Sequence, residues 1–497
     1  MNIRKIIANN WARTALNKVY IKHQNAEIVQ NTVLQTILSK VVDTSFAKDY
    51  RLSPNIQVSE FNEAVEVQTY ESLLPYIERM KLAEPDVLWP GIPKYFAKTS
   101  GTTAGSKYIP LSEDSLPYHI SAARSSLLSY IAHTGNTGFV NGKMIFLQGS
   151  PKLDIVNDIP CGRLSGIVYH HVPFYLQRNR LPTYETNCIE DWEEKVEKIA
   201  LETMTENMTL VSGIPPWVIM YFEKVLELTG KSTIKNVFPQ LQILIHGGVN
   251  FQPYSRRLQE LLGEAVDAME TYPASEGFIA FQDDPEQHGL LLNIDAGMFF
   301  QFIPWLEYTN GSRKRIGISE VKVGETYVLI ITNNAGLYAY QIGDLVQFIT
   351  LEPYRIKVAG RVAQYISAFG EHVIIEEIES ALVECCQSMG GMIREFHVAP
   401  QADSTLGPTG HHWLIEWEEV PDDLQAWANT LNDIMCSKNV YYKDLIEGNI
   451  INSLKIISLR KGTFIDCLSA AGKLGAQNKV PRAANSYETA VQLLKFS

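Results

Sequence analysis

A chain of 497 residues exceeds the size of one domain, so two or three are expected. Its 45% apolar and 20% charged residues describe a globular protein with ample core. A net charge of −12 disfavours broad nucleic-acid binding, and the absence of any apolar run of about 18 residues excludes a membrane-spanning helix.

Among the first 22 residues, Arg4, Lys5, Arg13, Lys18 and Lys22 occur with no acid. Without an apolar core or a small-residue cleavage site, this suits a first helix with a basic outer face better than a presequence. Cys161, Cys188, Cys385, Cys386, Cys436 and Cys467 contain no C-x-x-C pair, which fits reduced thiols in a cytoplasm and offers no zinc site.

Residues 1 to about 85 read as helices. Ile6, Ile7, Trp11, Leu16 and Tyr20 recur at helical spacing, as do Leu34, Ile37, Leu38 and Val41. Pro90-Gly91-Ile92-Pro93 ends the region, and a short strand at Tyr95-Phe96-Ala97 leads into a glycine-rich stretch. A helix over 112–133 follows, with Ser112 as its cap and Glu113 and Asp114 in its first turn. Met144 to Leu147 reads as a buried strand. Residues 160 to 182 mix Arg163, His170, His171, Arg178 and Arg180 with aromatics, which can line an anion pocket or form a solvated loop.

Glu190 to Met204 is an amphipathic helix, and the strand at Thr209 turns into a helix from Trp217 to Leu228. Leu241 to Ile245 is a strand ending in His246-Gly247-Gly248. This alternation predicts a doubly wound α/β layer, whose ligands sit beyond the carboxyl ends of strands. Past Gly277 come short strands: Leu290–Ile294, Phe299–Ile303, Ile318–Val321, Tyr327–Thr332 and Tyr354–Val358. They predict a β-rich subdomain. Residues 365–497 read as a smaller, mobile α+β domain, hinged between Gly360 and Gly370, which divides the chain into 1–364 and 365–497. In that domain, helices are expected over Val373–Met389, Leu424–Met435 and near Tyr487–Lys495. Strands are expected over Phe396–Ala399, Trp413–Trp417 and Leu454–Leu459.

Chemistry concentrates in Lys98 to Pro110, K-T-S-G-T-T-A-G-S-K-Y-I-P. Small residues let the backbone approach a ligand and turn its N–H groups inward, hydroxyls add donors, and Lys107 adds a full charge. This is a candidate phosphate cradle, although Gly101 and Gly105 are too close for a Walker loop. Three shorter motifs follow: Tyr272-Pro273-Ala274-Ser275-Glu276, Tyr340-Gln341-Ile342-Gly343-Asp344, and Lys479-Val480-Pro481-Arg482 near the end. Each alone is weak: a Glu after Ser is commonly a helix cap, and Gly-Asp is an ordinary turn.

In this order the motifs resemble the adenylate-forming superfamily, whose phosphate loop reads roughly T-S-G-T-T-G-x-P-K. Ala104 and Ser106 depart from that pattern. The superfamily's Tyr-x-x-Thr-Glu matches Tyr272 to Glu276 with Ser275 for Thr, its Tyr-x-x-Gly-Asp matches Tyr340 to Asp344, and its Gly-Arg matches Gly360-Arg361. Gly247-Gly248 stand where a glycine pair precedes the Tyr motif. The Lys-Tyr-Ile-Pro ending of the loop, Ser275-Glu276 and Lys479 to Arg482 make the chain most similar to the auxin-responsive GH-three family of acyl-acid amido synthetases.

The resemblance implies an ATP-dependent ligase that activates a small carboxylic acid as an acyl adenylate and transfers the acyl group to an amine, as in joining it to an amino acid. It implies that Thr99, Ser100, Gly101, Thr102, Thr103 and Lys107 hold the β- and γ-phosphates and that Glu276 binds Mg²⁺. Gly247, Gly248 and Tyr272 would flank the adenine, while Asp344 accepts the ribose hydroxyls beside Arg361. Lys479 would swing in with the second domain to stabilise the α-phosphate, with Lys473 as the spare. Gln364 stands where the hinge usually carries Asp or Lys. An acyl-CoA ligase shares the first half-reaction, and a nucleotide-binding protein without turnover is a further alternative. A serine hydrolase around Ser275 is disfavoured by Pro273 at the first glycine of the elbow.

Overall fold

The computed structural model describes residues 3–100, 106–249, 251–362, 365–369, 371, 373–401, 409–471 and 480–497. They form two compact units, Met1–Ile342 with Val346–Lys357, and Gly343–Leu345 with Val358–Ser497.

The first unit opens with helices Ile3–His23 and Ala26–Val41. In the first, the inward positions are Ala12 and Leu16, whereas Ile7 and Trp11 face out, 64% and 56% exposed. In the second, Val33, Leu34, Ile37, Leu38 and Val41 form one buried stripe at the 3–4 spacing of an amphipathic helix. Gln30 in that stripe donates to the carbonyls of Ile294 and Met298 and accepts from the Phe300 amide, so a buried polar side chain is fully used.

Strands β1 (Tyr95–Ser100) and β2 (Ser106–Leu111) form an antiparallel hairpin. After β3 (Lys143–Phe146) come β4 (Asp154–Val156) and β5 (Ile159–Gly162), and β4, β5 and the hairpin make a four-stranded sheet in the order β2-β1-β5-β4. The chain continues through β6 (Arg180–Leu181), β7 (Met208–Ser212), β8 (Ile243–Gly247) and β9 (Asp267–Ala274). Then follow β10 (Gly277–Phe281), β11 (Leu290–Leu292), β12 (Met298–Pro304), β13 (Thr326–Asn333), β14 (Tyr340–Leu351) and β15 (Tyr354–Arg361).

These strands, with β3, build one eleven-stranded sheet in the order β12-β13-β14-β15-β11-β10-β9-β8-β7-β3-β6. From β6 to β9 the pairing is parallel. Helices cover both faces there, as a parallel sheet requires. Leu244 packs with Trp192, Val218 and Tyr221 from helices Trp192–Thr203 and Pro215–Thr229. Ile243 and Met269 pack on the other face with Leu128 and Ile131 of helix Leu116–Thr134. The doubly wound layer and the β-rich segment therefore share one sheet, joined where β9 turns back into antiparallel β10. Ile318–Glu320 is a 3₁₀ turn rather than a strand, closed by the Gly317 amide donating to the Glu320 carboxylate at 2.8 Å.

The second unit is an α+β sandwich. Its strands β16 (Tyr365–Ile366) and β17 (Val373–Ile374) pair ahead of helix Ile375–Met389. Then β18 (Met392–Gln401), β19 (Gly410–Glu419) and β20 (Asn452–Leu459) form a three-stranded sheet. Alternation along β19 sends Trp413, Ile415 and Trp417 towards Leu382, Trp427 and Leu431, and Leu414 towards Phe464 and Leu493.

Candidate active site

The strands on either side of the glycine-rich stretch are paired, Ser100 with Ser106 and Thr99 with Lys107. Gly101, Thr102 and Thr103 lie outside the described residues, as do Lys473, Lys479 and Gln364. On β2, the Lys107 ammonium is 3.9 Å from Glu71 and lies 5.1 Å from the centre of the Tyr70 ring. One strand over, Lys98 is bound to Asp154 at 2.5 Å, which raises its affinity for its proton. Strands β1 and β2 thus carry two ammonium groups, one strongly paired and one loosely held.

Strands β8 and β9 carry the next group. Gly247 ends β8 in register with Thr271, so closely that a Cβ there would lie 2.1 Å from the Thr271 carbonyl oxygen. Gly248 turns the chain away with φ +75°, a conformation that favours glycine. Tyr272 follows Thr271 and is 8% exposed. The carboxyl ends of these parallel strands thus bring Gly247, Gly248 and Tyr272 to one edge, where open α/β sheets bind ligands.

Beyond Tyr272, Ser275 and Glu276 form the turn from β9 to β10. The Glu276 carbonyl accepts from Asn333 Nδ2 at 2.7 Å, and Asn333 Oδ1 accepts from the amides of Ala335 and Leu337. Asn334 donates to the Asp114 carbonyl at 3.0 Å, and its own carbonyl accepts from the Ser112 hydroxyl at 2.6 Å. Gly277 leaves room for Met298, whose Sδ would lie 2.2 Å from a Cβ at that position. The Glu276 turn is therefore tied through Asn333 and Asn334 to the residues that precede helix Leu116–Thr134. Ser112 is no helix cap: it exchanges hydrogen bonds with Ser115, and the helix starts at Leu116. Asn333 and Asn334 carried no sequence signal, because their value lies in partners 57 and more than 200 positions away.

That helix also borders a cavity of about 520 Å³, lined by Lys94, Pro117, Ile120, Arg124, His171 and Pro173 among others. Of the basic residues in 160–182, only His171 reaches it, held by Tyr95 at 2.9 Å. His170 bonds the Pro151 carbonyl, and Arg180 stacks 3.4 Å over Tyr169.

In the second unit Asp344 and Arg361 meet, carboxylate to guanidinium, at 2.8 Å. Asp344 lies within β14, just after Gly343 with φ +94°. Its side chain is 11% exposed while that of Arg361 is 50% exposed, so the pair presents its cationic half to solvent. Among the described residues no cluster of three acidic, His or Cys side chains could hold a metal ion by itself.

A mixed sheet with a Gly-Gly turn beside a buried tyrosine, and a second α+β unit, is a fold shared with solved ligase structures. The model of the GH3 family N-terminal domain matches residues 15–185 and 147–266, that of the central domain 291–361, and that of the C-terminal domain 376–488. The chain belongs to the GH3 family. Similar proteins include the jasmonoyl–L-amino acid synthetase GH3.5 of Oryza sativa subsp. japonica, 22% identical over 95% of this chain and 94% of its own. The indole-3-acetic acid-amido synthetase GH3.3 of Arabidopsis thaliana is 22% identical over 95% of this chain and 91% of its own. Among solved structures, the GH3.15 acyl acid amido synthetase superposes with a TM-score of 0.77 at 17% identity, covering 97% and 95% of the two chains. A 2-hydroxyisobutyryl-CoA ligase gives 0.62 at 12% identity, covering 95% and 92%. At such identities the superpositions speak for the fold.

Proposed function

We propose that this protein is an acyl-acid amido synthetase: it activates a small carboxylic acid with ATP and joins the acyl group to an amine, probed first with amino acids. The observation that carries the reading is membership of the GH3 family along nearly the whole chain, with the adenylation motifs in order.

A carboxylate is a poor electrophile. In the first half-reaction its oxygen attacks the α-phosphorus of ATP, the bond to the bridging oxygen breaks, and pyrophosphate leaves. Such chemistry asks of the protein mainly positioning and neutralisation of charge. The amides of the glycine-rich stretch with Thr99, Ser100, Thr102, Thr103 and Lys107 hold the β- and γ-phosphates, and release of Lys107 from Glu71 needs little, given their 3.9 Å separation. Gly247, Gly248 and Tyr272 flank the adenine. Asp344 accepts from the ribose hydroxyls and is already fixed by Arg361. Lys479, or Lys473 in its place, reaches the α-phosphate when the second domain closes about a hinge near residue 364.

Mg²⁺ belongs to the same reading. It takes one or two protein carboxylates with substrate phosphates and keeps waters, and the single carboxylate of Glu276 on a braced turn fits that demand. When bound, the ion neutralises phosphate charge. The cavity lined by Arg124 and the uncharged His171 offers room and one guanidinium for the acid. A cytoplasmic setting completes the reading, given reduced cysteines.

The test is acid-dependent exchange of labelled pyrophosphate into ATP over a panel of carboxylic acids, followed by product analysis with amino acids or CoA. Exchange followed by amide formation is expected. Thiol-dependent AMP release would make the protein an acyl-CoA ligase, and no exchange with any acid would leave nucleotide binding without turnover.

A further inference from the structure

One carboxyl group beside this site has no task in the account above. Glu270 lies on β9, two residues before Tyr272, and pairs in register with His246 on β8. Partners on parallel strands leave the sheet on the same face, and residues two apart share that face, so His246, Glu270 and Tyr272 project together. At about 3.3 Å per residue, Glu270 stands roughly 6.6 Å inside Tyr272 and one place behind the Gly247–Gly248 turn.

Its backbone is committed to the sheet, with the amide donating to the Gln282 side chain at 3.0 Å and the carbonyl accepting from the Gln282 amide at 2.7 Å. Among the described residues, its carboxyl oxygens receive no hydrogen bond and face no cation. The neighbour gives no help. His246 stacks on Phe251 at 4.0 Å, burial holds its imidazole neutral, and its Nδ1 is itself buried without a partner. Glu270 is only partly covered, so a ligand can reach it. Among the described residues, two adjacent polar groups thus lack partners beside the Gly247–Gly248 turn and Tyr272, where buried groups are normally satisfied.

The proposed reactants decide what could satisfy them. ATP and the acid are anions rich in acceptors. The amine arrives as an ammonium, and it alone brings both positive charge and several N–H donors. We propose that Glu270 takes the proton from the amine acceptor in the second half-reaction, an inference that rests on the function proposed above. The ammonium gives one proton to the Glu270 carboxylate, which becomes a carboxylic acid. The freed nitrogen lone pair attacks the carbonyl carbon of the acyl adenylate, forming the C–N bond. The carbon–oxygen bond to the phosphate breaks, its electrons leave on AMP, and the second nitrogen proton passes to water. Burial lifts the Glu270 carboxyl to about 7, a value suited to taking and releasing a proton near neutrality.

Hydroxylamine separates this role from a structural one, because it is a nucleophile already neutral at pH 7. Wild-type protein, Glu270→Gln and Glu270→Asp are given ATP and an accepted acid, then either an amino acid or hydroxylamine, and amide and hydroxamate are measured on the same samples. In Glu270→Gln, amide formation is expected to fall in kcat by roughly 100-fold or more while hydroxamate formation stays within a few-fold of wild type. Glu270→Asp should recover part of the amide rate. Equal loss with both nucleophiles, or no loss with either, overturns the proposal. So does a rise in KM for the amino acid at unchanged kcat, which would make Glu270 a binding group, or a rise in KM for ATP alone, which would assign it to the adenine amino group. A wild-type protein that forms hydroxamate but no amide with any amine overturns the underlying function, and the proposal with it.

Discussion

Asp344 is where a single residue best separates ligand binding from folding. Arg361, the cation bound to it, is half in water, so the pair itself adds little stability. Asp344→Ala should therefore leave the unfolding midpoint nearly unchanged and raise KM for ATP by roughly 10- to 150-fold, the cost of a lost hydrogen bond to a charged acceptor. A lower midpoint with unaltered ATP dependence would assign the residue to the β14 strand alone. Glu276 is tested through its charge. Glu276→Gln keeps the Asn333 bond, which uses the backbone carbonyl, but loses the negative charge. Turnover at ordinary magnesium should drop while nucleotide still docks; full activity would remove the residue from metal binding. Residue identities at these places were readable as motifs. Their partners were not: nothing local says that Glu71 faces Lys107 or that Asn333 holds the Glu276 turn.

Among the elements, β8 and β9 carry the tightest constraint on the site. Gly247 reads in the sequence as part of the turn that ends a strand, and its structural reason is the Thr271 carbonyl against it. Gly247→Ala should force the two strands apart, destabilising the first unit by about 1–3 kcal/mol, as overpacking does, and weakening ATP use as Tyr272 shifts. A wild-type melting temperature would show that the strands can yield. Elements with strong local pattern, such as helix Ala26–Val41 and β19, were legible from periodicity. The union of both β-regions in one sheet was not, since strands such as β11 and β15 pair across more than 60 residues. In the same way Ile318–Glu320 carried strand-like residues, and a local hydrogen bond from Gly317 decided for a 3₁₀ turn.

Across the whole molecule, buried titratable groups set the response to acid. His23, His119, His246, His397 and His412 are each lowered to about 4 by burial. Their unfolded forms bind protons near 6.5, so between about 6.5 and 4 the unfolded chain holds more protons and stability falls as pH falls. Glu270 and Glu377, raised to about 7, act with the opposite sign over about 7 to 4.5. Histidines outnumber these carboxyls three to one in the first unit and two to one in the second. The unfolding midpoint should thus decline from pH 6.5 to 4; a constant or rising midpoint would contradict the burial of these rings. The central claim concerns the path of one oxygen atom. With an acid labelled with ¹⁸O in its carboxylate, attack on the α-phosphorus followed by transfer to the amine must leave one labelled oxygen in AMP and one in the amide. Mass spectrometry of AMP after complete conversion is the direct measurement. AMP carrying a single ¹⁸O is the predicted result, and unlabelled AMP, or label in inorganic phosphate, would contradict an acyl-adenylate route.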